Sequence, residues 1–207
     1  MRRLFLVTSL AVVAAGVQGC SIARALYIAI VHNSGAPSRD ERERIQAREN
    51  ELLRTLPHRR IAVLPAAILG RGVRYDSALS ESIATQLRER GLALATPSDR
   101  VAALPFEPQP NELAIFWTRF KALSAIYAAD PRTDVDYVLA VDVIGPSEPR
   151  GVGAVHVMTV TAYGRMAYHA MWNSHQSLYK EIQPRSDSYV VRMAVTALAR
   201  GVGPAHP

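Results

Sequence analysis

Asp142, His156 and His169 are the residues whose types and placement offer the most chemistry. His156 and His169 fall on two successive strand-like stretches, residues 152–162 and 165–174, with Tyr163-Gly164 between them. A two-residue turn at that point makes the two histidines diagonal neighbours on one face of a hairpin. Asp142 interrupts the apolar stretch that precedes them. Two imidazoles and a carboxylate form a zinc-type donor set, and a buried Asp142 is a candidate general base with a raised pKa. The plainer reading leaves His156 and His169 as exposed strand residues. It makes Asp142 a solvated side chain or an acceptor of backbone hydrogen bonds. Trp172 and Tyr168 could stack on a sugar of the cell wall, but their alternation with Met166 and Ala170 puts all four on one core-facing side, with His169, Met171, Asn173 and His175 on the other. The sequence has no Gly-x-Ser-x-Gly elbow, His-Glu-x-x-His, P-loop or dinucleotide glycine pattern. Gly70-Arg71-Gly72 and Gly151-Val152-Gly153 read as loop glycines. No catalytic residue and no cofactor is assigned.

The amino terminus is more specific. Arg2 and Arg3 precede an apolar run, residues 4–17, that is too short to span a bilayer comfortably. It ends in Val17-Gln18-Gly19-Cys20, which resembles a bacterial lipobox. That resemblance implies cleavage between Gly19 and Cys20 and acylation of Cys20. Cys20 is the single cysteine, so lipidation would account for a lone thiol in an exported chain. Several acyl chains supply the multiple membrane signals that stable anchoring needs. The alternatives are an uncleaved anchor or plain cleavage near Ala14-Ala15. In the lipoproteins that this motif resembles, an Asp in the place of Ser21 favours inner-membrane retention, so the resemblance implies the periplasmic face of the outer membrane. Residues 21–31 are apolar rather than a polar tether, so they are expected to pack on the domain or lie in the lipid interface.

The rest of the chain must position these groups. Ser38 with Glu41 is a capping-box signature, which predicts a charged helix over 38–56 with Ile45, Leu52, Leu53 and Leu56 as its apolar stripe. A short apolar strand at 60–65 follows, with Gly70 and Gly72 marking the loop after it. Asp76 or Ser77 caps a helix to Arg90 that faces inward through Leu79, Ile83 and Leu87, with Gly91 at its C′ position. A strand at 92–96 completes a βαβ unit, so the two strands are expected to be parallel. A helix from Asn111 to about Ala128 carries the stripe Phe116, Phe120, Leu123 and Tyr127. Residues 135–144 read as a buried central strand. After the hairpin, a last helix opens at Ser186 or Ser188 and buries Val190, Val191, Ala194, Ala197 and Leu198. The expected fold class is α/β (α+β): a mixed sheet of about five strands in the order β-α-β-α-β-β-β-α, helices packed on it, with Leu64, Ile83, Leu139 and Trp172 in the core. The expected division is a signal peptide at 1–19, a lipidated segment and charged helix at 20–58, one domain at 59–202 and a tail at 203–207.

Composition agrees with a folded domain: 207 residues, 49% hydrophobic and 20% charged. The net charge of +6 falls to +4 once Arg2 and Arg3 are removed. The remaining arginines interleave with acids, as in Arg39-Asp40-Glu41-Arg42-Glu43-Arg44, so no basic stripe for nucleic acid is formed. Ile61-Ala62-Val63-Leu64-Pro65, the helix ending at Gly91, and Asp136-Tyr137-Val138-Leu139-Ala140-Val141 opening a meander resemble the domain shared by TolB N-terminal regions and CsgG-like periplasmic lipoproteins. That resemblance implies a mixed sheet and a binding or assembly role, and carries over no catalytic residue. The expected function is therefore a non-enzymatic, membrane-anchored module for an envelope complex, with the bilayer and an envelope protein as partners. Two alternatives stand beside it: a subunit of a homo-oligomeric secretion or transport assembly, and an envelope hydrolase or metal enzyme using Asp142, His156 and His169.

Overall fold

A computed structural model describes residues 36–102, 104, 106, 112–145, 154–173 and 187–199. Cys20, Gly19, the 21–31 segment, His175 and the 203–207 tail lie outside them. The described residues form four α-helices and a seven-stranded mixed sheet, an α+β fold. Helix α1 spans Arg39–Thr55, strands β1, β2 and β3 span Arg60–Val63, Ala66–Leu69 and Val73–Asp76, and α2 spans Ser77–Glu89. Then come β4 (Leu94–Pro97), α3 (Glu112–Ala129), β5 (Tyr137–Ile144), β6 (Ala154–Thr161), β7 (Met166–Asn173) and α4 (Asp187–Ala199).

β5 is the axis of the sheet. One edge pairs antiparallel with β6 along its whole length, and β6 pairs antiparallel with β7. The other edge receives β1 and β2 end to end, both parallel. Val63 lies opposite Leu139 and Ala67 opposite Asp142, so four steps on one side match three on the other. The extra residue at Leu64-Pro65-Ala66 is a bulge. Even-numbered residues face α3 before it, and odd-numbered residues after it. The expected five strands become seven because Pro65 interrupts the strand without ending it. Ala66–Leu69 resumes it and turns at Gly70-Arg71-Gly72 into β3. β1 and β4 are parallel, as the βαβ reading requires.

The helix ends follow from local chemistry. Ser38 Oγ accepts from Glu41 N–H at 3.3 Å, and Asp76 Oδ1 from Leu79 N–H at 3.0 Å. Gly91, at φ +64°, closes α2 as a Schellman motif: its N–H donates to Arg88 O and that of Leu92 to Leu87 O, both at 2.9 Å. Helices α2 and α4 cover one face of the sheet, through Leu79, Ile83, Leu87, Met193, Ala194 and Leu198 over Val141, Val157 and Trp172. Helix α3 covers the other, its Phe116, Phe120, Leu123 and Tyr127 over Val138, Ala140, Met158 and Val160. The expected core residues Leu64, Ile83, Leu139 and Trp172 are all buried.

Helix α1 lies against β7, with Ile45 buried on the α3 side and Leu52 and Leu56 on the other. Two of the edge strands, β7 and β4, carry an arginine. At β7, Arg48 Nε donates to the carbonyl of Met166. At β4, Leu94 and Ser98 bond back to β1, so Ala95 and Pro97 point outward; Arg88 Nη1 donates to Ala95 O at 2.6 Å, and Pro97 has no N–H to offer.

The hairpin departs from a two-residue turn. Thr161 and Arg165 pair across Ala162, Tyr163 and Gly164, with Gly164 left-handed at φ +77°. This is a three-residue loop with its glycine at the αL position. A Cβ at Gly164 would stand 2.2 Å from Ser124 O and 2.3 Å from Ala128 N, so the turn rests directly on the α3 backbone. Ser124 Oγ also donates to Gly164 O. Thr159 pairs with Tyr168 but Val160 with Met166, leaving Ala167 as an extra residue. That bulge sends Met166 to the α3 side, away from Tyr168, Ala170 and Trp172, correcting the expected grouping of all four.

Candidate functional site

On β5 the alternation that sends Val141 and Val143 toward α2 and α4 sends Asp142 under α3. Arg119 meets it there. It lies three residues after Phe116 and four before Leu123, within the same buried stripe. Arg119 and Asp142 are each 1% exposed. Their contact is bidentate: Nε to Oδ2 at 2.5 Å and Nη2 to Oδ1 at 2.8 Å. Arg119 Nη1 also donates to Leu104 O at 3.2 Å. A void of about 10 Å³ bounded by Leu64, Tyr75 and Leu104 lies beside the pair, room for about one water.

His156 sits directly opposite Asp142 on β6 and is 0% exposed. Its Nε2 lies 3.2 Å from Glu112 Oε1, in the first turn of α3. Nδ1 is buried with no hydrogen-bond partner. An imidazole protonated on Nε2 donates to Glu112 and leaves Nδ1 as a bare acceptor. His169 lies opposite Met158, making it the diagonal neighbour of His156. Its ring packs among Phe116, Trp117 and Phe120, at centroid distances of 5.8, 5.2 and 6.2 Å. Burial pushes its pKa below the ordinary imidazole value, so it stays neutral near pH 7.

The three sequence candidates thus share one face but not one site. Asp142 is engaged by Arg119 and His156 by Glu112, while His169 faces aromatic rings. Among the described residues no group of three His, Cys, Asp or Glu side chains could hold a metal ion. The histidines are not exposed strand residues, and Asp142 is neither solvated nor held by backbone donors. Sequence reasoning missed Arg119 and Glu112. The signal for Arg119 was present: an arginine on a stripe of Phe116, Phe120 and Leu123 requires a buried counter-charge, and Asp142 is the one charge in the strand at 137–144.

Among the described residues, concavities open to the surface at α2 and α4 and at the start of β1 and β5. A groove of about 840 Å³ runs between α2 and α4, with Leu79 and Val191 in its floor and Glu81, Glu89, Arg90 and Arg192 along its walls. A smaller cleft of about 260 Å³ lies at the start of β1 and β5 beside the hairpin turn, lined by Glu51, Arg59, Arg60, Asp136, Tyr137 and Tyr163 among others. No described helix is long and apolar enough to cross a membrane.

No protein-family model matches the chain, and no curated protein matches it. Among solved structures it is similar to a PelC dodecamer from Paraburkholderia phytofirmans, at 16% identity over 72% of this chain and 87% of that one, TM-score 0.36. It is similar to the hypothetical protein CT253 from Chlamydia trachomatis, at 17% identity over 68% of this chain and 98% of that one, TM-score 0.35. It is also similar to lipoprotein GNA1162 from Neisseria meningitidis, at 19% identity over 71% of this chain and 99% of that one, TM-score 0.32.

Proposed function

We propose that this chain is a cell-envelope lipoprotein, anchored through acylated Cys20 at the periplasmic face of the outer membrane, whose α+β domain is a non-enzymatic binding or assembly module. The observation that carries the anchor is Val17-Gln18-Gly19-Cys20 directly after a short apolar run. The non-enzymatic reading is supported by how the best acid–base candidates are used. Asp142 is locked to Arg119, and His156 lies fully buried against Glu112. Buried and bonded in this way, neither Asp142 nor His156 presents a polar atom to solvent. Cys20→Ala is expected to abolish labelling by a palmitate analogue and to leave an unprocessed or mislocalised chain. Unchanged labelling of the variant would sink the anchor.

A second reading makes the module one subunit of a homo-oligomer, with Leu94, 57% exposed on the edge strand β4, as a side chain that such a contact would cover. Sedimentation of the non-acylated chain tests it. A monomer at high concentration removes this reading and leaves the anchor intact.

A further inference from the structure

The cleft beside the hairpin turn has a composition that neither the anchor nor the α3 ion pair uses. Its charges balance: Glu51 and Asp136 against Arg59 and Arg60. Their side chains stand as two split pairs, Arg59 Nη2 to Glu51 Oε1 and Arg60 Nε to Asp136 Oδ2, each at 3.7 Å, while Asp136 Oδ2 also accepts the Arg60 backbone N–H at 2.8 Å and Arg59 Nε donates to Thr55 Oγ1 at 2.9 Å. Each gap is too long for a hydrogen bond. A carboxylate only accepts and a guanidinium only donates, so a group that bridges such a gap must do both. A hydroxyl does so. An anion would meet the two carboxylates and a cation the two guanidinium groups, so both are disfavoured. Thr133 adds a further hydroxyl to the lining.

Two aromatic rings complete the cleft. Tyr137 is buried in its wall, with the Arg59 guanidinium 6.0 Å from its ring centroid. Tyr163, at the tip of the turn, is 62% exposed, the most exposed large apolar side chain among the described residues. The turn that carries it is fixed: Gly164 rests on the α3 backbone and Ser124 holds its carbonyl. A tyrosine on a rigid turn loses little further conformational freedom on binding. Its ring face suits the C–H face of a pyranose ring, and its hydroxyl a polar edge. We propose that this cleft binds a neutral saccharide, with Tyr163 as the stacking platform and the two split ion pairs bridged by ring hydroxyls. Its volume of about 260 Å³ fits one or two sugar units.

The test uses the full chain on an array of neutral and charged oligosaccharides, followed by titration with maltotetraose and chitotetraose as neutral probes. Trigalacturonic acid and chitosan oligomers serve as the anionic and cationic controls. At least one neutral probe is expected to bind, with each charged control at least tenfold weaker. Tyr163→Ala is expected to weaken binding tenfold or more and Glu51→Ala at least threefold. Both leave the melting temperature nearly unchanged, because both side chains are exposed. Thr85→Ala, in the separate groove between α2 and α4, is expected to leave affinity unchanged. The proposal is overturned if no neutral oligosaccharide binds, if a charged control binds as tightly as the neutral probes, or if Tyr163→Ala binds normally.

Discussion

Helices α2 and α4 seat themselves on the sheet through Leu79, Ile83, Leu87, Ala194 and Leu198, with no charged side chain buried between them and the strands among the described residues. On the opposite face, α3 brings a comparable aromatic stripe but also buries Arg119 against Asp142 and rests its first turn on His156. Apolar burial is non-directional, so a helix held by it alone can slide or rotate at modest cost. A bidentate ion pair fixes distance and angle together. Desolvation offsets much of its Coulomb gain, so the pair adds less to stability than its distances suggest. Its effect here is to specify one placement for α3, and with it the hairpin turn that Gly164 sets on the same helix.

Single removals should expose this difference most strongly on the α3 face. Asp142→Ala leaves Arg119 charged and buried, and is expected to cost about 3–5 kcal/mol in urea unfolding. The double variant Arg119→Met with Asp142→Leu should recover most of that loss. A cost below about 1 kcal/mol for Asp142→Ala would show that α3 is held by its aromatic stripe alone. On the apolar face, Trp172→Ala is expected to cost about 3–5 kcal/mol through the cavity it leaves, with no second-site variant able to restore it by charge removal. A thermal shift near zero would mean that β7 presents its other side to the core.

Gly164→Ala combines a left-handed backbone with a clash against α3, and is expected to cost about 2–4 kcal/mol. If it proves neutral, the turn does not rest on α3 as described. The smallest effect separates the faces by pH. Because burial depresses the folded-state pKa of His169, its contribution is fully present above the ordinary imidazole pKa. It is lost as pH falls through the lower folded value. Melting temperature should therefore decline between about pH 7 and 5, and His169→Phe should flatten that decline. An unchanged slope in the variant would assign the pH dependence elsewhere.

Much of the fold was legible where one signal dominated. The Ser38 and Asp76 caps, Gly91, the 3.6-residue stripes of α1 to α4 and the buried β5 run all act locally, and the structure places them where their chemistry demands. Two bulges were not legible, at Leu64-Pro65-Ala66 and at Ala167. A bulge shifts register by one residue, so it reverses which side chains face inward while leaving composition untouched. The first hid β2 and β3; the second moved Met166 across the sheet. The polar face was half legible. Asp142, His156 and His169 stand out as types, but their partners Arg119 and Glu112 lie on a helix whose packing depends on both.

The edge strand β7, Met-Ala-Tyr-His-Ala-Met-Trp-Asn, holds no acid, lysine, arginine, proline or glycine. An eight-residue strand without formal charge, proline or glycine is the raw material of cross-β stacking. Its free side is denied to other chains by α1, whose Arg48 occupies the Met166 carbonyl. The charged helix thus acts as a molecular guard against polymerisation. Peeling it away, while leaving the rest folded, would turn a finite sheet into one able to recruit copies of itself.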